Sequence, residues 1–135
     1  MSLPLVLLAM LWCHVLDDYV LQGILASLKQ RDWWQAQLKS GDIGDTIYRH
    51  DYVAALLCHG LSWSCCVHLP LLLAGGLRHQ GFLALSVALN ALVHALVDHA
   101  KANWKCINLV QDQCYHVAQI ASVLLVYSKA CLGMW

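Results

Sequence analysis

The sequence contains no glutamate: all eight acidic residues are aspartate, balanced by eight Lys and Arg for a formal net charge of zero. A chain without a basic surplus has no general field to recruit nucleic acid, so nucleic acid is not an expected partner. Charge of either sign is scarce, at 12% of residues against 60% hydrophobic, which excludes the usual soluble balance. No Lys or Arg precedes the first apolar run, which opens MSLPLV. No small-residue cleavage site stands out before the first polar loop, so that run is expected to be a retained span rather than a signal peptide. The seven cysteines make no CxxC pair and lie along apolar segments, as small packing residues do. Cys58 and Cys114, each within two residues of a His, keep thiolate ligation open. There is no internal repeat and no low-complexity tract.

What is present is apolar length. Segments 3–28, 52–77, 80–100 and 107–132 are each near or above the ~20 residues that a spanning helix needs. At 135 residues the expectation is a single all-α domain, a polytopic membrane protein with four transmembrane helices in one bundle in contact with lipid. The polar loop 29–51 holds Gly41 and Gly44 and much of the charge; its start sets Trp33, Trp34 and Leu38 among polar residues, as in an interface-lying helix. Gly75, Gly76 and Gly81 predict a tight turn that makes an antiparallel hairpin of the second and third segments. The turn from Lys101 to Lys105 places Trp104 at interface level, and Pro70 predicts a kink late in the second helix. The first and third loops carry Lys29, Arg31, Lys39, Arg49, Lys101 and Lys105, against Arg78 and Lys129 on the opposite side. The positive-inside rule therefore puts those loops in the cytoplasm and both termini outside it.

Polar residues inside the spans are few and patterned. His14, Asp18 and Gln22 recur at i, i+4 and i+8 on one face of the first helix, and His94/Asp98 and Asp112/His116 repeat the i, i+4 pairing. Asn90 extends the stripe of the third helix, and Asn108 and Gln119 that of the fourth; His59 shares a face with Ala55, Ser62 and Cys66, small enough for close helix approach. Counted from the cytoplasmic ends, Asp18, His59, His94 and His116 all fall roughly 9 to 15 Å deep, with His14 somewhat deeper. Two Asp in the first helix cost about 5 to 7 kcal/mol on the insertion scale, against roughly 4 to 8 from its Leu, Ile and Val. Such a helix is marginal in lipid unless its carboxylates face partners inside a bundle.

Imidazoles with carboxylates converging from facing helices suit a divalent metal, zinc foremost, with iron or manganese also compatible. The expected ligands are His14, Asp18, His59, His94 and His116. Asp98 and Asp112, nearer the aqueous boundary, are expected to act in catalysis as the base that takes a proton from water. Gln22, Lys101 and Gln113 lie toward the surface, where they would contact substrate. Two other readings stay open: a metal-free relay for protons or ions, and a purely structural His/Asp network. Asp17, about 100° around the helix from Asp18, has no place on the shared face; it meets another helix, a protomer interface in a homo-oligomer, or a water-filled mouth. His50, His68, His79 and His99 sit off the common level or beside turns and read as packing or interface residues, with His99 set apart by adjoining Asp98.

At these residues the chain resembles a family of small multi-pass membrane proteins of bacteria and their phages, domain of unknown function 3307. The family pattern H-x-x-x-D-(F/Y)-x-x-Q is matched by His14, Asp18, Tyr19 and Gln22, a His in the second helix by His59, H-x-x-x-D-x-x-K by His94, Asp98 and Lys101, and D-Q-x-x-H by Asp112, Gln113 and His116. Where that pattern has Gly after Leu16, this chain has Asp17. The HALVD and CHGLSW segments resemble, more loosely, His motifs of bacterial inner-membrane proteins described as metal-dependent hydrolases. These resemblances imply a location in the bacterial inner membrane and a hydrolase acting on a lipid or amphiphilic ester. The alternatives are an ion- or proton-coupled carrier or channel, and a non-enzymatic factor that binds a host membrane protein.

Overall fold

Pro near the start of the first apolar run suits an opening helical turn, where its missing N–H has no partner to lose. In the computed structural model α1 accordingly runs over Leu3–Leu16. The structure describes residues 2–39, 48–75 and 79–132; Gly41, Gly44 and the turn 76–78, with Arg78, lie outside the described residues. The continuous helix does not reach residue 28 as the apolar pattern predicts. Asp17–Leu21 forms one π-helical turn, with Gln22 N–H donating to the Asp17 carbonyl at 3.0 Å. Gly23 then adopts φ 48°, a left-handed conformation that glycine takes without steric cost, and the helix ends. Short helices α2 (Leu25–Leu28) and α3 (Arg31–Lys39) follow, then the long α4 (Asp51–Gly75), α5 (Gln80–Ala102) and α6 (Leu109–Leu132). Among the described residues there is no strand. Pro70 lies inside α4, which continues to Gly75.

Leu3–Leu21, Asp51–Gly75 and Gln80–Ala102 are long and apolar enough to cross a membrane. α6 has comparable length at 24 residues, but Gln111, Asp112, Gln113, His116 and Gln119 make its first half polar. Large apolar side chains, among them Leu8, Trp12, Leu61, Leu73, Leu89 and Leu96, point outward and are exposed, whereas most of the buried polar side chains are His and Asp. That arrangement inverts the soluble pattern of polar groups outside.

Inside, the four long helices divide into two zones. One is an apolar core of Val6, Met10, Trp63, Val67, Leu71, Leu83, Ile120, Val123 and Tyr127. The other holds the buried His and Asp. α4 and α5 approach closely at Gly60, where an added Cβ would sit 2.5 Å from the Ala91 carbonyl oxygen and 3.3 Å from Ala95 Cβ. That contact draws His59 and His94 to a ring separation of 5.0 Å.

The segment after α2 is tied to the α5–α6 turn. Asn103 accepts from Arg31 N–H at 2.7 Å and donates to the Lys29 carbonyl at 3.0 Å, and Lys105 pairs with Asp32 at 2.6 Å. Trp34 donates its indole N–H to the Leu28 carbonyl at 2.7 Å and stacks on Tyr48. The Lys105 ammonium holds the Asp32 carboxyl below its ordinary pKa.

Candidate metal centre

The π turn explains the residue that the straight-helix reading could not place. A wider turn lets two consecutive carboxylates face the bundle, and both Asp17 and Asp18 are buried. They flank His59: Asp18 Oδ1 lies 3.2 Å from its Nε2, and Asp17 Oδ2 lies 3.5 Å from its Nδ1. Asp17 is held from its other oxygen by the Ser62 hydroxyl, which donates at 2.7 Å. The hydrogen bond is at Nε2, which donates to Asp18 Oδ1, whereas Nδ1 and Asp17 Oδ2 are buried without a hydrogen-bond partner; a cation displacing the Nε2 proton would shift it to Nδ1, with Asp17 as the orienting carboxylate.

Three imidazoles then converge. His59, His94 and His116 are each 0% exposed; the His94 ring lies 4.1 Å from that of His116 and 4.3 Å from Trp63, stacked on both. Asp98 enters between them. Its Oδ2 is 3.5 Å from His59 Nε2 and 3.7 Å from His94 Nε2, and its Oδ1 is 3.6 Å from His116 Nε2. Single donor atoms of Asp18, His59 and His94, and again of His94, Asp98 and His116, lie within 4.8 Å of one another. The two groups share His94, so together they form one five-residue constellation.

Two observations test its fit to a cation. His94 Nε2 and His116 Nε2 are buried without a hydrogen-bond partner, although unpartnered buried nitrogens are costly. In addition, four buried carboxylates, Asp17, Asp18, Asp98 and Asp112, are met by two ammonium groups. Lys29 pairs with Asp98 at 2.6 Å and Lys101 with Asp112 at 2.7 Å. With neutral imidazoles this leaves two negative charges, the number a divalent ion balances.

Some expected roles change. His14 was expected to be a ligand, but both its nitrogens are in use: Nδ1 accepts the Trp63 indole N–H at 2.8 Å, so Nε2 carries the hydrogen and donates to Gln113 Oε1 at 3.1 Å. Gln113 is accordingly an internal link, donating in turn to Asp112 Oδ2 at 3.0 Å, and does not face outward. Asp98 lines a cavity at the Lys-rich end of the helices, as expected of a residue near the aqueous edge, and also sits among the imidazoles. Asp112 reaches His116 Nε2 at 3.4 Å through Oδ1 while Oδ2 is engaged by Lys101 and Gln113. Gln22 donates back to the Asp18 carbonyl and, with Lys101, borders the same cavity. His99 packs against Tyr52 and Trp104 and lies outside the constellation.

Residues to which the sequence assigned no role in the site complete the surroundings. Lys29 counted only as a loop cation; it follows the break at Gly23, its carbonyl lies beside Asn103 and its side chain reaches Asp98. Behind His116, Gln119 Oε1 lies 3.4 Å from Nδ1, Gln119 donates to Asn90 Oδ1 at 3.2 Å, and Asn90 donates to Ser86 Oγ at 3.4 Å. Ser86 Oγ meets His68 Nε2 at 2.8 Å, and His68 Nδ1 donates to the Ser64 carbonyl at 2.7 Å. Read from that carbonyl, every donor has one direction, and the chain ends with His116 donating from Nδ1. Its Nε2 faces Asp98 and Asp112. The i, i+4 spacing of His68 with Ser64, and of Asn90 with Ser86, was the available signal.

No protein-family model matches the chain, and no match is found among curated proteins or solved structures.

Proposed function

We propose that this protein is a membrane-embedded, metal-dependent hydrolase of a lipid or amphiphilic ester, built as a four-helix transmembrane bundle in the bacterial inner membrane. The single observation that carries the reading is the pair of buried, unpartnered His94 Nε2 and His116 Nε2 atoms beside His59, Asp18 and Asp98. α6 joins the span set in this reading because Val110, Val117, Leu125 and Val126 are exposed along its outer face while its polar residues face inward. The Lys-rich end lies in the cytoplasm and both termini outside it. The likeness of the four motifs to domain of unknown function 3307 agrees with this architecture.

His59, His94, His116 and Asp18 would hold the ion. Bound there, a divalent ion supplies a water of lowered pKa and polarises an ester oxygen; zinc suits the donor set best, and iron or manganese are compatible. Asp17 orients His59, and the Gln119–Asn90 chain orients His116. Asp98 is the carboxylate that borders both the imidazoles and the open cavity, so it is placed to take a proton from water entering there. Lys29 and Lys101 pair with Asp98 and Asp112. The apolar core beyond Trp63 closes the opposite side, a disposition that favours a one-sided enzyme over a carrier.

Metal analysis of the purified protein tests this reading. Roughly one divalent ion per chain is expected, lost in His94→Ala and in His116→Ala together with turnover of an amphiphilic ester. A wild-type protein holding far less metal, with no further loss in either variant, would overturn it.

A further inference from the structure

We infer that the cavity beside Asp98 is a phosphate-binding site, and that the substrate of the adjacent centre therefore carries a phosphate group. The substrate assignment rests on the hydrolase reading; the phosphate site does not. The cavity measures about 410 Å³ and is bordered by Gln22, Lys29, Gln30, Asp98, Lys101 and Lys105, a volume within the range of small-molecule sites. Three ammonium groups face one carboxylate. Asp112 and Asp32, which pair with Lys101 and Lys105, stand outside the lining and fix those ammonium groups without occupying the cavity. Each ammonium has three N–H donors, so a single carboxylate leaves donors for another anion. With each ammonium held by one carboxylate, what the cavity offers a phosphate is the set of remaining N–H donors of three lysines, joined by the second amide N–H of Gln22 and of Gln30, whose first bonds the Asp18 and Ala26 carbonyls.

Access is graded in the direction a headgroup would enter. Lys105 is 65% exposed, Lys101 36% and Lys29 12%. Trp104, adjoining Lys105, is exposed at the level where amphipathic rings meet headgroups. At the inner end Asp98 Oδ2 takes Lys29 on one side and faces His59 and His94 on the other, so a phosphate on Lys29 lies one side chain from the imidazoles. Hydrolysis of a phosphate ester there breaks one P–O bond and forms one from the water oxygen to phosphorus. One water proton leaves on the alcohol, and the other stays on phosphate or passes to solvent.

The same chemistry can arrive as a lipid headgroup or as free phosphate, and two arms separate them. In the first, the full chain in phosphatidylcholine nanodiscs doped with phosphatidate or with phosphatidylglycerol is examined by native mass spectrometry. About tenfold preferential retention of phosphatidate is expected, abolished in a Lys29→Gln/Lys101→Gln variant. Lys105→Gln, whose exposed site leaves the fold untouched, is expected to weaken retention about threefold. In the second, inorganic phosphate is titrated calorimetrically into undoped discs; binding there without lipid preference assigns a soluble source. Equal retention of both lipids with no phosphate heat would overturn the inference, as would retention indifferent to all three lysines. Metal content of the same samples reads the hydrolase proposal separately. Phosphatidate held without metal leaves this site standing and removes the hydrolase; metal held without any phosphate preference does the reverse.

Discussion

The same four long helices build two interiors of opposite kind. Toward the Lys-rich end the inward residues are Asp17, Asp18, His59, His94, Asp98, Asp112 and His116; beyond Trp63 they are Met10, Val67, Leu71, Ile120 and Val123. The apolar zone has well-filled contacts and no charge to satisfy, so its contribution is stability through packing. The polar zone keeps orphaned nitrogens and a carboxylate excess that packing alone would remove. A protein that holds such a zone against its energetic cost uses it. Trp63 is the seam, with its ring stacked on His94 and its N–H on His14.

Single substitutions should separate the zones. Leu71→Ala, at a fully buried apolar position, is expected to cost about 2–5 kcal/mol from lost packing, read as a lowered unfolding midpoint in detergent, with metal content unchanged. Asp17→Asn should do the opposite: metal affinity falls about 10- to 100-fold as His59 loses its orienting carboxylate, measured by chelator competition, with little shift in the midpoint. Equal effects of these two variants on both readouts would dissolve the distinction. Gly60→Ala tests the contact that both zones depend on. Its Cβ has no room against the Ala91 carbonyl, so a loss of about 1–3 kcal/mol is expected, accompanied by weaker metal retention because His59 and His94 separate.

The smallest effect belongs outside both zones. Asp32 is fully exposed and its carboxyl is lowered by Lys105, so its contribution is present above the unfolded value of about 3.9 and lost as pH falls through the lower folded value. Asp32→Asn should leave the midpoint unchanged at neutral pH and moderate salt, and remove only a slight acid-side difference seen at low ionic strength.

Much of the polar zone could be read from spacing. The i, i+4 His/Asp pairs and their common depth mark residues that the structure does bring together from separate helices, because helical periodicity and rise carry that information unaided. What could not be read depends on tertiary choice. Asp17 enters the bundle only through a π turn, which no periodicity announces. Lys29 reaches Asp98 from the segment that follows the helix break at Gly23, and a strict count of residues from 28 keeps it in the loop. His14 looks like its neighbours in sequence and differs because Trp63, one turn beyond His59, takes its Nδ1. The sequence points to Ala55, Ser62 and Cys66 for close helix approach, whereas a close backbone approach also falls at Gly60.

The π turn at Asp17–Leu21 carries one residue more than the α-helical turn it replaces, so it can be regarded as a single-residue insertion lodged in an otherwise regular span. Deleting exposed Tyr19 would return the helix to a straight course and swing all that follows by about 100°, lifting Lys29 away from Asp98. A chain without that extra residue would keep the imidazoles of the other three helices yet lose both the second carboxylate beside His59 and the ammonium at the entrance. One codon thus separates a cluster of buried histidines from a furnished site.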